Sequence, residues 1–250
     1  MAAVPGLMTT AATTGGSPAS DSTHTMIDGT YIIVPAYNEG KIIRSTVEEL
    51  QQSFSNIVVV NDGSTDDTPT VLQDLGVTAI THLINIGQGA ALQTGITHAL
   101  REGANAIVSF DADGQHQVSD VIDMLGVLEN RDCDVVLGSR FLGDTTGISA
   151  GRKMLLRAAV IFSNLATRVK LTDAHNGLRV MNRSAAACLD ITQFGMAHAT
   201  EIIQQFQAAG MRIREHPVTI HYTEYSMAKG QRSLNAVNIL LDLLIGRFFK

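Results

Sequence analysis

The sequence predicts an α/β protein with a mostly parallel central sheet that is covered by helices on both faces. Short apolar runs alternate with segments of helical periodicity from residue 30 to residue 140. Such alternation favours parallel strands that are buried on both faces. A cluster of polar residues follows most of the apolar runs, and ligands of open α/β sheets bind at the carboxyl ends of the strands. We therefore expect the functional site at that edge of the sheet.

The alternation predicts each element in turn. Apolar runs predict strands, and apolar positions at helical spacing predict helices. The predicted strands cover 30–37, 56–62, 105–113 and 133–140, with another inside 77–84, and the predicted helices cover 41–53, 68–76, 89–103 and 118–130. Beyond residue 145 we predict a long helix at 151–170, a late strand at 212–224 and an apolar helix at 233–249.

Composition limits the class of protein. The 250 residues are 45% hydrophobic, enough for one sizeable core. Acidic residues outnumber basic ones by 24 to 18, which argues against a nucleic-acid binder. Cys133 and Cys188 form no CxxC pattern, which suits a reducing cytoplasm. We expect a disordered tail at 1–28 without a secretory signal, one catalytic domain at 29–224, and an acceptor-side loop with a C-terminal apolar helix at 225–250.

Two aspartates one residue apart follow the predicted strand at 105–113, in "FDADGQH" at 110–116. At a strand end, Asp111 and Asp113 can both reach one ligand, and Mg²⁺ usually takes one or two carboxylates plus substrate phosphates. Asp also ends strands and makes turns for purely structural reasons. The residues alone leave both interpretations open.

Two further segments place polar or glycine residues at the same edge. In "NDGSTDDT" at 61–68, Asp62 follows a strand, where it either accepts hydrogen bonds from a nucleoside or completes a turn before a helix. In "NIGQGAALQTG" at 85–95, a glycine-rich turn opens a helix, and such a turn can present N–H groups to phosphate. Leu92 stands where the dinucleotide fingerprint needs its third glycine, so we exclude that class of site.

Taken together and in order, these motifs resemble those of the family 2 glycosyltransferases, which have the GT-A fold. The resemblance runs from about residue 31 to about 231 and is closest to the dolichyl- or polyprenyl-phosphate sugar synthases. The motifs are "VPAYNE" (34–39), "VVVNDGSTDDT" (58–68), "NIGQGAALQTG" (85–95), "DADGQH" (111–116), "GSR" (138–140), "DAHNGLRVMNR" (173–183), "TEII" (200–203) and "REHPVTI" (214–220).

The resemblance implies a UDP- or GDP-sugar donor, a divalent cation and inversion at the anomeric carbon. The implied donor-nucleotide residues are Pro35, Ala36, Tyr37, Glu39, Asp62, Gly87, Asp111, Ala112 and Asp113. Mg²⁺ or Mn²⁺ would be held by Asp111, Asp113 and Gln115. Catalysis would involve Asp113, Asp173 and Arg140, with Arg140 facing the diphosphate. Many relatives have an acidic pair where this chain has Asn61 and Asp62, so the nucleotide stays open.

The acceptor is predicted from charge. Residues 145–172 contain no Asp or Glu, and Lys153, Arg157, Asn164 and Arg168 share one helical face. Such a face is typical of helices at anionic membrane surfaces, and it is equally typical of a solvated face over a core. We expect a polyprenyl-phosphate acceptor, whose contacts are drawn from Arg140, Arg152, Arg157, Arg179, Glu201, Lys229 and Arg232.

Other hypotheses remain open at this point. Transfer to a sugar hydroxyl would need a base, for which Asp173 is the first candidate and Glu201 the second. The helix at 233–249 is too short to span a bilayer, so it meets a membrane interface, a small membrane protein partner, another subunit or its own core. We predict a peripheral location at the cytoplasmic membrane face. A hypothesis of another class is a non-catalytic nucleotide-sugar-binding regulator of a membrane partner.

Overall fold

The computed structural model describes residues 28–130, 132–143, 145–146, 160, 164, 170–173, 176–195 and 197–221. The predicted N-terminal tail, most of the basic helix at 151–170 and the C-terminal helix at 233–249 lie outside these residues. Among the candidate acceptor residues, Arg152, Arg157, Lys229 and Arg232 lie outside them too. None of the helices within the described ranges is long and apolar enough to cross a membrane.

The predicted fold class is confirmed, since strands and helices alternate as expected. The strands are β1 (Thr30–Ala36), β2 (Asn56–Asn61), β3 (Thr78–Thr81), β4 (Ala106–Ser109), β5 (Val135–Ser139), β6 (Thr145–Thr146), β7 (Arg179–Asn182), β8 (Ile213–Pro217) and β9 (Ile220–His221). The helices are α1 (Ile43–Gln51), α2 (Thr68–Gln73), α3 (Gln88–Arg101), α4 (Val118–Glu129), α5 (Arg183–Ala187) and α6 (His198–Ala208).

The main sheet has seven strands in the order β3-β2-β1-β4-β7-β5-β8. All neighbours pair in parallel except β7, which is antiparallel to both β4 and β5. The sequence did not predict β7, because a four-residue strand that begins with Arg179 carries little apolar signal. Its direction has a consequence for the site: the amino end of β7 lies at the edge where the parallel strands have their carboxyl ends.

The late strand predicted at 212–224 is two short strands. β8 pairs with β5 as far as Ser139 opposite Pro217, and Pro217 has no N–H with which to extend a ladder. The chain then turns, with the N–H of Thr219 donating to Asp120 at 2.8 Å. β9 leaves the main sheet and pairs with β6.

Helices cover the sheet on both faces and create two apolar layers. One layer packs α1, α2 and α4 against the sheet, and its core includes Val47, Leu50, Leu72, Val121 and Leu125. The other packs α3, α5 and α6, with Leu92, Ile96, Ala185, Ile203 and Phe206 in its core. The central strands are buried on both faces. The polar residues that follow these strands at the carboxyl edge of the sheet are therefore the ones placed to meet a ligand.

Candidate active site

The aspartate pair lies in a turn at the end of β4, two residues beyond Ser109. Asp111 accepts a hydrogen bond from Gln88 Nε2 at 3.1 Å on Oδ1 and lies 3.1 Å from His116 Nε2 on Oδ2. Asp113 accepts from the backbone N–H of Gln115 at 3.2 Å and from its side-chain amide at 2.7 Å. The structure therefore brings both aspartates and Gln115 together, as the metal-site prediction requires.

The two carboxyl groups differ in pKa. Burial, followed by the negative charge of Asp111, raises the pKa of Asp113 to about 6 against the opposing effect of His116. Burial also acts to raise the pKa of Asp111, but the hydrogen bond and charge of His116, with the charges of Arg179 and His198, bring it below its usual value. Asp111 is therefore the more readily ionised of the two carboxyl groups, and a nearby cation would stabilise the ionised form of Asp113.

These residues fit a divalent cation of the Mg²⁺ or Mn²⁺ kind. They offer carboxylate and amide oxygens, which hard cations prefer, and the pKa of Asp113 is raised first by burial and then by the charge of Asp111, both of which a bound cation would offset. Within the described part of the chain, no three His, Cys, Asp or Glu side chains form a metal site by themselves. An ion here would need further ligands, such as the oxygens of a diphosphate.

The segment that leads into β7 packs beside Asp111. Ser109 Oγ donates to the carbonyl of Gly177 at 2.6 Å, and a Cβ at Gly177 would lie 2.1 Å from Asp111 Oδ2. Only glycine lets this backbone approach the carboxylate so closely. Arg179 is almost fully buried beside Asp111 and Asp173; burial lowers the pKa of its guanidinium and the two carboxylates oppose that effect.

Arg140 follows β5 and is paired with Asp173. Asp173 Oδ2 accepts from Arg140 Nε at 2.5 Å and from its backbone N–H at 3.1 Å. Asp173 is 2% exposed, so this is a buried ion pair rather than a solvated one. The sequence offers Asp173 as the first candidate base, and in the structure its carboxylate is the partner of Arg140.

On the donor side, the loops after β1 and β2 are tied to each other. The N–H of Asn38 donates to Ser64 Oγ at 2.9 Å, and the N–H of Glu39 donates to Thr68 Oγ1 at 2.8 Å. Pro35 and Ala36 close β1, and Tyr37 is 42% exposed beside them. An exposed aromatic ring in a rigid loop is suited to packing against a flat base.

Asp62 has an internal role that the sequence did not reveal. Its Oδ1 lies 2.8 Å from His82 Nδ1 and accepts from the N–H of Ile86 at 3.0 Å, and its Oδ2 accepts from the N–H of Gly87 at 2.7 Å. These contacts hold Asp62 against the segment that follows β3, and the nucleoside contact that the resemblance implies for Asp62 stays a prediction.

In the glycine-rich turn, the N–H groups of two glycines donate to other residues of the chain. The N–H of Gly87 goes to Asp62, and the N–H of Gly89 donates to the carbonyl of Phe194 at 3.0 Å. Gly87 has a φ of 120°, and a Cβ there would lie 2.3 Å from that same carbonyl oxygen. Both glycines are needed for the close approach of the loop at 192–195, and the donor contact implied for Gly87 stays a prediction.

Glu201, the second candidate base, contacts the loop at 192–195. Both of its oxygens accept from the N–H of Thr192 at 3.1 Å, and it accepts further from Thr192 Oγ1 at 2.6 Å and from the N–H of Gln193 at 2.8 Å. Its carboxylate therefore holds the loop at 192–195 in place. As an acceptor-site acid or base it would have to give up these contacts.

Sequence reasoning missed three residues near the pair or near Asp62. His82 follows β3 and Gln88 begins α3, and neither belongs to a sequence pattern that predicts a functional residue. His198 is buried, with Nδ1 2.7 Å from the carbonyl of Gly195, and burial with the charge of Arg179 lowers its pKa to about 4. His198 is therefore a neutral ring near Asp111 at neutral pH.

A parallel α/β sheet with an aspartate pair, an amide and a paired arginine at its carboxyl edge defines a GT-A glycosyltransferase. The chain belongs to glycosyl transferase family 2, whose pattern it matches over residues 31–190. The resemblance to polyprenyl-phosphate sugar synthases is thereby confirmed at the level of the family, and the protein is a glycosyltransferase.

Two similar proteins are named for transfer to a lipid phosphate. The UDP-N-acetylglucosamine–dolichyl-phosphate N-acetylglucosaminyltransferase of Methanococcus voltae is 31% identical over 237 residues, covering 86% of this chain and 94% of that protein. The undecaprenyl-phosphate mannosyltransferase of Micrococcus luteus is 27% identical over 209 residues, covering 79% and 85%.

A solved structure supports the fold. Glucosyl-3-phosphoglycerate synthase from Mycobacterium tuberculosis, crystallised with Mn²⁺, UDP and glucosyl-3-phosphoglycerate, superposes with a TM-score of 0.67. The match covers 90% of this chain and 80% of that one at 17% identity. At this identity the likeness shows the GT-A fold alone.

Proposed function

We propose that the protein transfers a sugar from a UDP- or GDP-sugar to a polyprenyl phosphate, with inversion and with Mg²⁺ or Mn²⁺ held by Asp111, Asp113 and Gln115. The observation that carries the proposal is the aspartate pair, whose unequal pKa values suit a cation shared with a diphosphate. Relatives named for dolichyl phosphate and undecaprenyl phosphate support the acceptor class.

The contacts of the two candidate bases also support a phosphate acceptor. A hydroxyl acceptor must lose a proton to a positioned base. Asp173 is buried in a pair with Arg140, and the oxygens of Glu201 accept backbone N–H groups. A phosphate acceptor is already anionic and needs no base, so it is compatible with both carboxylates as they stand.

In the proposed step, an oxygen of the acceptor phosphate attacks the anomeric carbon from the side opposite the diphosphate. A carbon–oxygen bond forms as the bond to the nucleoside diphosphate breaks, and the leaving group departs with the electron pair. A cation held by Asp111, Asp113 and Gln115 would supply Lewis-acid stabilisation of that negative charge. Arg140 adds a fixed guanidinium to the same charge, in an orientation held by Asp173.

The test is a panel of UDP- and GDP-sugars with Mn²⁺ or Mg²⁺, incubated with a short polyprenyl phosphate, with the matching polyprenol, or with neither. We expect nucleoside diphosphate release to rise strongly only with polyprenyl phosphate, together with a glycolipid that mild acid cleaves. Turnover with hydroxyl acceptors and none with polyprenyl phosphate would overturn the proposed acceptor. Full activity in excess chelator would overturn the metal.

A further inference from the structure

Glu215 on β8 holds the segment that carries Asp173. Its Oε1 accepts from Thr172 Oγ1 at 2.8 Å and from the N–H of Asp173 at 3.0 Å. The N–H of Thr172 is shared between the two oxygens at 2.8 and 2.9 Å. The carboxylate of Glu215 therefore accepts hydrogen bonds from the backbone N–H groups of Thr172 and Asp173 and from the hydroxyl of Thr172.

The same segment is tied to the end of β5 from the other side. Thr172 Oγ1 lies 2.6 Å from Ser139 Oγ, and Asp173 binds both the backbone and the side chain of Arg140. The parallel pairing of β5 with β8 sets Leu137 opposite Glu215, which brings the glutamate within reach of the segment. A continuous chain of contacts thus runs from Glu215 through Thr172 and Asp173 to Arg140.

We propose that Glu215 is a positioning residue that sets the orientation of Arg140 through Asp173. The inference rests on the proposed function, in which Arg140 faces the diphosphate of the donor. A guanidinium stabilises a leaving diphosphate only if its direction is fixed before the charge develops. Asp173 supplies that direction, and the backbone N–H groups of Thr172 and Asp173 both donate to Glu215.

A matched control exists at the other end of the same two strands. Asp134, just before β5, accepts from Arg212 Nε and from its backbone N–H at 3.0 and 2.9 Å, and from Asn182 at 3.1 Å. This cluster also joins the β5 side of the sheet to the β8 side, but it lies at the amino edge, away from the site. Removing it disturbs the sheet without disturbing Arg140.

The experiment compares Glu215→Ala, Glu215→Gln, Asp134→Asn, Arg140→Ala and the double variant Glu215→Ala/Arg140→Ala. Binding of UDP or GDP in the presence of Mn²⁺ is measured by calorimetry, which needs no acceptor, and kcat and KM follow with the acceptor that supports turnover. We expect Glu215→Ala to weaken nucleotide binding roughly tenfold and to lower kcat by a similar factor, with Glu215→Gln between it and the wild type. Asp134→Asn is expected to lower the melting temperature and leave both readouts unchanged.

The double variant separates positioning from general damage. If Glu215 acts through Arg140, Glu215→Ala has no further effect on binding or kcat once Arg140 is alanine. Additive losses, or an equal kinetic loss in Asp134→Asn, would overturn the inference. If Arg140→Ala changes neither nucleotide binding nor kcat, the proposed role of Arg140 fails. If Arg140→Ala is impaired and Glu215→Ala is not, only the inference about Glu215 fails.

Discussion

Two acidic regions at the same edge of the sheet, Asp62 after β2 and the pair Asp111–Asp113 after β4, look alike in sequence and differ in structure. Asp62 is buried and receives donors from His82, Ile86 and Gly87. Asp113 accepts hydrogen bonds from Gln115, and burial with the charge of Asp111 raises its pKa to about 6. The contacts of Asp62 favour a structural role for that carboxylate, whereas burial beside a like charge makes Asp113 suited to binding a cation.

The largest expected effect in this comparison is the loss of catalysis when the pair is broken. Asp111→Ala or Asp113→Ala is expected to lower the transfer rate by about a thousandfold, because a metal ion contributes several kcal/mol to stabilising the leaving charge. Asp113→Ala should melt within a few degrees of the wild type, because its hydrogen bonds go to Gln115 in the same turn, whereas Asp111→Ala also removes a partner of buried His116 and Arg179 and should melt lower. Rates under donor saturation and a thermal melt are the measurements.

Asp123→Ala on α4 is the control for this loss, because that carboxylate is exposed and lies outside the turn. It is expected to keep the wild-type rate. Full metal-dependent turnover in the Asp111 and Asp113 variants would show that the pair does not bind the catalytic cation. It would also contradict the difference in role between the pair and Asp62.

Asp62 is expected to behave in the opposite way. Asp62→Ala leaves the donors at Ile86, Gly87 and His82 without their partner in a buried setting and should cost roughly 3 kcal/mol in the free energy of unfolding. Urea unfolding monitored by circular dichroism measures this change. Mn²⁺ affinity should stay near the wild-type value in the fraction that remains folded.

Asp62→Asn sharpens the test, because the amide keeps one acceptor oxygen and turns an N–H group toward another donor. It should lie between alanine and the wild type in stability. A stable Asp62→Ala protein that has lost only nucleotide binding would contradict the structural assignment and support the nucleoside contact that the resemblance implies.

The sequence predicted the edge of the sheet, the aspartate pair and Arg140, because each follows an apolar strand and strand ends can be read from short runs. It did not predict the partner of Asp62. That contact depends on the register of β2 with β3, which sets Asn61 opposite Thr81 and so places Asp62 beside His82. Register is a property of strand pairing and is not written in either strand alone.

The same reason explains what was missed on the other side of the site. β7 enters between β4 and β5 against the direction of its neighbours, and this places Arg179 at the carboxyl edge. Glu215 meets residues 172 and 173 only because β8 pairs with β5. Contacts between segments more than 40 residues apart could not be predicted from local patterns.

The smallest effect expected from the comparison is a pH dependence that belongs to the pair and not to Asp62. Because the pKa of Asp113 is raised to about 6 in the folded protein, protons compete with Mn²⁺ below that pH. The apparent affinity for Mn²⁺ should fall by up to about tenfold per unit as the pH drops below 6 and level off above 7. Calorimetric titration at four pH values measures it, with Asp113→Asn as the variant that loses this dependence.

The same pKa fixes the sign of a stability effect in the metal-free protein. A folded pKa above the unfolded value of 3.8 means that the folded state binds the proton more tightly, so this contribution is fully present below about pH 4 and is lost as the pH rises through 6. Adding Mn²⁺ at pH 7 should restore stability, because a cation held there would offset the buried negative charge of Asp113. A melting temperature that responds to Mn²⁺ equally in Asp113→Asn and in the wild type would show that the ion binds elsewhere.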